Sequence, residues 1–189
     1  MESRPIQGML RVYSFCVNDA LSPSIADARR GLMQLAPFFA RLEATGIAST
    51  IAQSVLLTAG LSSLHLVGFT LLMGAAIVAN LRLTGVLFSQ RPVPEVTDPA
   101  NRGIATGLGI SVTTGLLLFS ARASAASANS TFQLKMLLLI VAALFHFAVH
   151  RKIVRRPSST PRLLQLTGAL GLTLWVGVAL AGCAFILLE

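Results

Sequence analysis

Apolar residues gather along the chain into four runs, at about 54–81, 103–121, 131–149 and 163–188, each nearly free of charge and bounded by arginines, prolines or polar clusters. A helix needs roughly 20 mostly apolar residues to cross the hydrocarbon of a bilayer, because backbone polar groups find no water there. All four runs meet that length. The one charge inside them near an end is Lys135, whose long stem can carry its ammonium to the interface. The pattern predicts an all-α integral membrane four-helix bundle, with residues 1–53 as an N-terminal extension. Within that extension, residues 32–42 alternate apolar positions with Gln34 and Arg41 around Pro37, which predicts a helix lying along the membrane surface.

The connections differ in character. Residues 90–101 hold Pro92, Pro94 and Pro99 with Glu95 and Asp98, and read as an exposed loop. Residues 124–130 are short, small and polar, and 151–162 carry five basic residues and no acid. Arg82, Arg91 and Arg102 flank the first connection, and Arg151, Lys152, Arg155, Arg156 and Arg162 the third. Only Arg122 and Lys135 lie at the other end, so the positive-inside rule puts the two Arg-bearing connections in the cytoplasm and both termini outside. The arginines of residues 1–53 run against this topology, and a cytoplasmic tail would require a fifth crossing.

Composition agrees with the pattern. The 189 residues are 54% hydrophobic and 12% charged, against about a quarter charged in a soluble domain. Water-soluble, disordered and disulfide-stapled classes are excluded. The net charge of +8 comes from 15 Lys and Arg against 7 Asp and Glu. Those cations sit at the ends of apolar runs, which predicts a lipid bilayer as partner and no nucleic acid.

Small residues recur every fourth position in the second span at Gly103, Gly107, Ser111 and Gly115. Gly68, Ala75, Ala76 and Ala79 stand in the first, and Gly168 and Gly171 in the fourth. Such faces let helices approach closely in lipid; a gap opposite a glycine such as Gly68 can also admit a flat cofactor. Thr113 and Thr114 are expected to bond back to carbonyls one turn earlier. Trp175 falls mid-span, away from the interfacial belt, and is expected to face the bundle as a core filler or as a wall against a ring system.

No acid occurs between Asp98 and Glu189, nor in the first span. Carboxylate proton relays, di-iron sites and Ser-His-Asp catalysis therefore lack their residues. Cys16 and Cys183 have no metal-ligand spacing. What remains is histidine, and all three histidines, His65, His146 and His150, fall in or at the edge of the spans. An uncharged imidazole in lipid needs a partner for each nitrogen, which a metal or haem iron and a backbone carbonyl can supply, or hydrogen bonds within the core. With Ser54 and Lys135 taken as the outer edges of the first and third spans, His65 and His146 both lie eleven residues inward, a depth match that predicts one haem between them. Measured from the arginines at the inner edge the match fails. His150, one turn beyond His146, is either a ligand or an interfacial residue.

LHLVGFTLLMGAAIVANLRLTG at 64–85 resembles the first span of an uncharacterised family of bacterial four-span membrane proteins, with a His-x-x-Gly and a terminal D-L-R-L-L-G-like segment. TTGLLLFS at 113–120, FQLKMLLLI at 132–140 and LWVGVALAG at 174–182 resemble its later blocks in order, so that the likeness covers about 42–188. The family's broader similarity is to copper-resistance-D-type and cytochrome b561-like bundles that hold haem b. Carried over by position, His65 matches the first-span histidine, and His150 matches the third-span one at least as well as His146. Asn80 stands where the family pattern has Asp, and Cys183 where Arg is usual. The expectation is a bacterial inner-membrane subunit that binds haem b through His65 and a third-span histidine and passes electrons within a larger complex, with no enzymatic activity of its own. Two other classes are open: a cofactor-free structural or assembly subunit, and a small-solute or metal-ion permease.

Overall fold

The protein is described by a computed structural model over residues 37–154, 156 and 160–187. The expected extension falls outside these residues as far as position 36, and with it the first half of the expected surface helix. The rest of that helix is helical at 37–43. It is followed by α1 (Gly46–Gln53), α2 (Val55–Thr84), α3 (Val93–Ala121), α4 (Ala123–Ala128), α5 (Ser130–Leu144), a π-helical segment (Phe145–His150), α6 (Arg151–Val154) and α7 (Pro161–Leu187). No strand occurs among the described residues. Four helical stretches, Val55–Thr84, Val93–Ala121, Ser130–Val154 and Pro161–Ala184, are long and apolar enough to cross a membrane. The fold is an all-α four-helix bundle.

Local chemistry sets the boundaries. Ser54 adopts an extended conformation that interrupts the helix, and its hydroxyl caps α2 by accepting from the Leu57 amide at 3.3 Å. Gly85, at φ 82°, closes α2 in the left-handed conformation, its N–H returning to the last-turn carbonyls. The Arg82 guanidinium then donates to the Arg91 carbonyl and holds the turn. Asn129 caps α5, its side chain accepting from the Thr131 and Phe132 amides.

Two connections differ from the sequence reading. The expected exposed loop 90–101 is helical from Val93 onward, with Thr97 and Ala100 buried. Proline punctuation suggested a loop, but Pro92 and Pro94 fall at the helix start, where a missing N–H costs nothing, and Glu95 complements the dipole of the first turn. Pro99 alone sits inside the helix. The small polar link 124–130 is itself largely the short helix α4.

The first span packs against the second and the fourth, and the fourth against the third; the first and third do not form an extended contact. The second span lies tightest on the first. A Cβ on Gly107 would come within 2.5 Å of the Leu72 amide nitrogen, one on Gly68 within 2.7 Å of Ile110, and one on Gly103 within 2.9 Å of the Ala75 methyl. The four-residue stripe of the second span thus faces the first. At the end where the second and third spans join, Phe119 stacks on Phe132 at 5.4 Å and meets Phe39 edge-on at 6.0 Å. The Glu43 carboxylate there accepts from the Ser124 amide at 2.7 Å, which fixes helical residues 37–43 to the same end of the bundle.

Candidate functional site

Two groups of polar side chains lie within the spans, at different levels. The first is built around His65. Thr114 turns its hydroxyl back to the Ile110 carbonyl at 2.7 Å, so its single proton is spent within the helix. His65 Nδ1 lies 3.1 Å from the same oxygen and is therefore the donor, which leaves Nε2 with a free lone pair. The ring rests over Gly115, where an added Cβ would lie 3.1 Å from Cε1. Thr113, one position away, is exposed. Gly68, one turn along from His65, is filled by Ile110 and the Ser111 backbone, so close packing rather than a cofactor gap occupies that position.

The second group lies nearer the arginine-bearing end. His146 and His150 are 1% and 0% exposed, and both belong to the π-helical turn. That turn brings the two rings to 4.7 Å between centroids with a tilt of 33°. Trp175, 1% exposed, meets His146 edge-on at 6.4 Å from the fourth span, so it does face the bundle. His146 Nε2 and both nitrogens of His150 have no hydrogen-bond partner. Leaving a buried polar atom unpaired costs about 1–3 kcal/mol, and more where no water can reach it. Single π-turns inside α-helices occur frequently at functional sites.

Asn80 belongs to this level, a residue that the sequence reading treated only as a departure from a family pattern. It is 0% exposed. Its Nδ2 donates to the Ala76 carbonyl at 2.7 Å, while Oδ1 has no partner. Gly171 makes the space for it, since a Cβ there would lie 2.2 Å from Oδ1. Gly168, Gly171 and Trp175 follow one another at helical spacing on a single face of the fourth span, so the face that receives Asn80 from the first span also receives His146 from the third. The signal in the sequence was an amide in an uninterrupted apolar run, which lipid makes costly unless it is used.

The expected pairing of His65 with His146 is not what the packing produces. His65 rests against Gly115, one turn from Phe119, whose ring stacks on Phe132 in the first turn of the third span. His65 is thus level with the start of the third span, whereas His146 is eleven residues further along, or roughly 16 Å at 1.5 Å per residue. Asn80 against Gly168 and Gly171 gives the same register from the other direction. Two axial nitrogens of one iron lie about 4 Å apart, each metal–imidazole bond being about 2 Å. One porphyrin therefore does not take His65 and His146 together. The depth match rested on Ser54 as a membrane edge, but α2 has 30 residues and is about 45 Å long, well beyond the hydrocarbon thickness, so its two ends cannot both mark the edges of the hydrocarbon.

His146 and His150 by contrast offer the donor set that a histidine-ligated iron requires, neutral imidazoles with free nitrogens in an apolar interior. Among the described residues no group of three or more His, Cys, Asp and Glu gathers to hold a bare metal ion.

The chain belongs to DUF6644, a family of unknown function whose model matches residues 38–187. That family assignment agrees with the resemblance to uncharacterised membrane proteins and carries no link to haem proteins. No curated protein and no solved structure matches the chain.

Proposed function

We propose that this chain is a membrane-embedded electron-transfer subunit whose third span holds a b-type haem through His150 or His146. The observation that carries the reading is the set of three unpartnered imidazole nitrogens in the π-turn, in surroundings where an unpaired polar atom is costly. A haem supplies one-electron exchange at its iron, its potential tuned by the axial ligand and by the dielectric around it. The chain's own part is to present a neutral imidazole, to keep water away and to set a low local dielectric. Trp175 backs the His146 ring and limits its rotation. Leu72, Ile104 and Val178, all fully buried, belong to the same core as Trp175 and exclude water from it. His65 contributes at the other level and is not assigned to the same iron. The first, third and fourth spans carry no acid, and the acids of the second, Glu95 and Asp98, stand in its first two turns, which favours electron over proton transfer. The bacterial inner membrane and partner subunits belong to this proposal.

The test is the oxidised and dithionite-reduced absorption spectrum of protein purified from membranes of cells supplied with haem. A Soret band and a sharpened reduced α band are expected, to be lost in His150→Ala or His146→Ala and kept in His65→Ala. A colourless protein under those conditions overturns the reading in favour of a cofactor-free assembly subunit. A band lost only in His65→Ala would move the site to the other level.

A further inference from the structure

The first span ends and the fourth begins at the arginine-bearing end of the bundle, and a groove opens between them there. It holds about 480 Å³ and is lined by Thr84 from the first span and by Arg162, Gln165, Leu166 and Ala169 from the fourth. Positions 162, 165, 166 and 169 are three and four residues apart and share one face of α7. Gly168, beside that face, brings the two helices together: a Cβ there would lie 2.7 Å from the Asn80 carbonyl oxygen and 3.2 Å from the Thr84 amide nitrogen. The groove is therefore a wedge with two helical walls. Its mouth is polar, with Arg162, Gln165 and Thr84, and its floor is apolar, with Leu166 and Ala169 further into the span. The cations of this end are unevenly committed. Arg82 donates to the Arg91 carbonyl, and Arg91 pairs with Glu95 at 3.1 Å. Arg162 and Gln165 make no side-chain hydrogen bond or ion pair with any described residue, and no carboxylate lines the groove. The Thr84 hydroxyl donates to the Leu81 carbonyl at 2.9 Å, which leaves its oxygen as an acceptor.

We propose that this wedge binds an anionic phospholipid with a hydroxyl-bearing headgroup, of the phosphatidylglycerol type. The Arg162 guanidinium takes the phosphate, since its planar fork can donate to two phosphate oxygens at once. Gln165, which both donates and accepts, and the Thr84 oxygen, which accepts, bind the headgroup hydroxyls. An acyl chain then runs inward over Ala169 and over Leu166, which is 70% exposed. Basic pockets between spans at the membrane interface recognise anionic headgroups by this chemistry. A choline or ethanolamine headgroup would set a second cation beside Arg162, so selectivity follows from the same side chain that supplies affinity. A soluble anion would use the mouth and leave the floor bare, whereas a lipid covers both. The site stands apart from the π-turn and needs nothing of the haem reading.

Native mass spectrometry of the full-length protein in detergent, titrated with lipids of one acyl composition, reads the site lipid by lipid. The parent protein should bind phosphatidylglycerol more tightly than phosphatidylcholine by about tenfold, the order of one charge-assisted contact. R162A should bring the two lipids to equal affinity. K152A removes an exposed cation of the same end that does not line the groove, and should keep the preference. A169F adds bulk to the floor at an exposed position, where the bundle's own packing is not disturbed, and should abolish the tight phosphatidylglycerol with Arg162 still in place. Q165L should weaken phosphatidylglycerol and leave phosphatidic acid, whose headgroup is a bare phosphate, unchanged. Equal losses in R162A and K152A would mean a diffuse attraction to the whole basic end and overturn the proposal. A preference that survives R162A or A169F would overturn it as well. Inorganic phosphate that displaces phosphatidylglycerol from the parent protein at millimolar concentration would make this a site for free anions and defeat the lipid assignment.

Discussion

At the residue scale, one stripe of small residues does different work at each position. Gly103, Gly107, Ser111 and Gly115 are legible in the sequence as a packing face, but nothing in their spacing says which is tightest. That depends on the neighbouring backbone: Gly107 meets the Leu72 amide and the Gly68 carbonyl, which cannot yield, whereas Gly115 meets a ring that can. Gly109, off the stripe, has nothing within 4 Å of an added Cβ. G107A should therefore lose about 1–3 kcal/mol of stability through overpacking. G109A should be neutral or gain up to about 1 kcal/mol from helix propensity. Thermal unfolding of both variants in one detergent separates them; equal melting temperatures would show that the second span is not seated on the first as described. Histidine positions are equally legible by residue type, and their partners are not. Thr114 and Asn80 lie 49 residues after and 15 residues after His65, and only the fold tells which of them shares its level.

At the scale of elements, the spans were legible because lipid leaves little choice: a long uncharged run must satisfy its own backbone, and a helix is the way to do so. The ends were less so. Pro92, Pro94 and Pro99 within eight residues read as a loop, yet the first two occupy positions where a helix does not need their N–H. The helix over 93–102 separates side chains that a loop would expose alike. Thr97 is 0% exposed and hydrogen-bonds the Val93 carbonyl, while Asp98 next to it is exposed. In a cysteine-free background, T97C should resist a membrane-impermeant maleimide and D98C should react, by at least an order of magnitude in rate. Equal labelling of the two would restore the loop. The π-turn had no sequence signature at all, since FHFAVH at 145–150 reads as ordinary apolar helix and the wider turn becomes visible only in the backbone.

At the scale of the whole molecule, the order of packing decides which residues can act together. Spans joined by short connections suggest a closed ring of neighbours, but here the first and fourth spans form the centre, and the second and third lie outside them. The fourth span is the most enclosed of the four and the third the least, while the first is no more enclosed than the second. Register follows from the same packing. The level of a residue is set by what its helix lies against, not by its distance from the last polar residue, so counting inward from Ser54 and Lys135 joined two histidines that the bundle separates. Spin labels test this without assuming any cofactor. Labels at 65 and 135 should report a shorter distance by pulsed dipolar spectroscopy than labels at 65 and 146, by on the order of 10 Å given the helical rise. A 65–146 distance equal to or below the 65–135 distance would bring His65 back beside the π-turn. The first span would then reach that turn through its histidine.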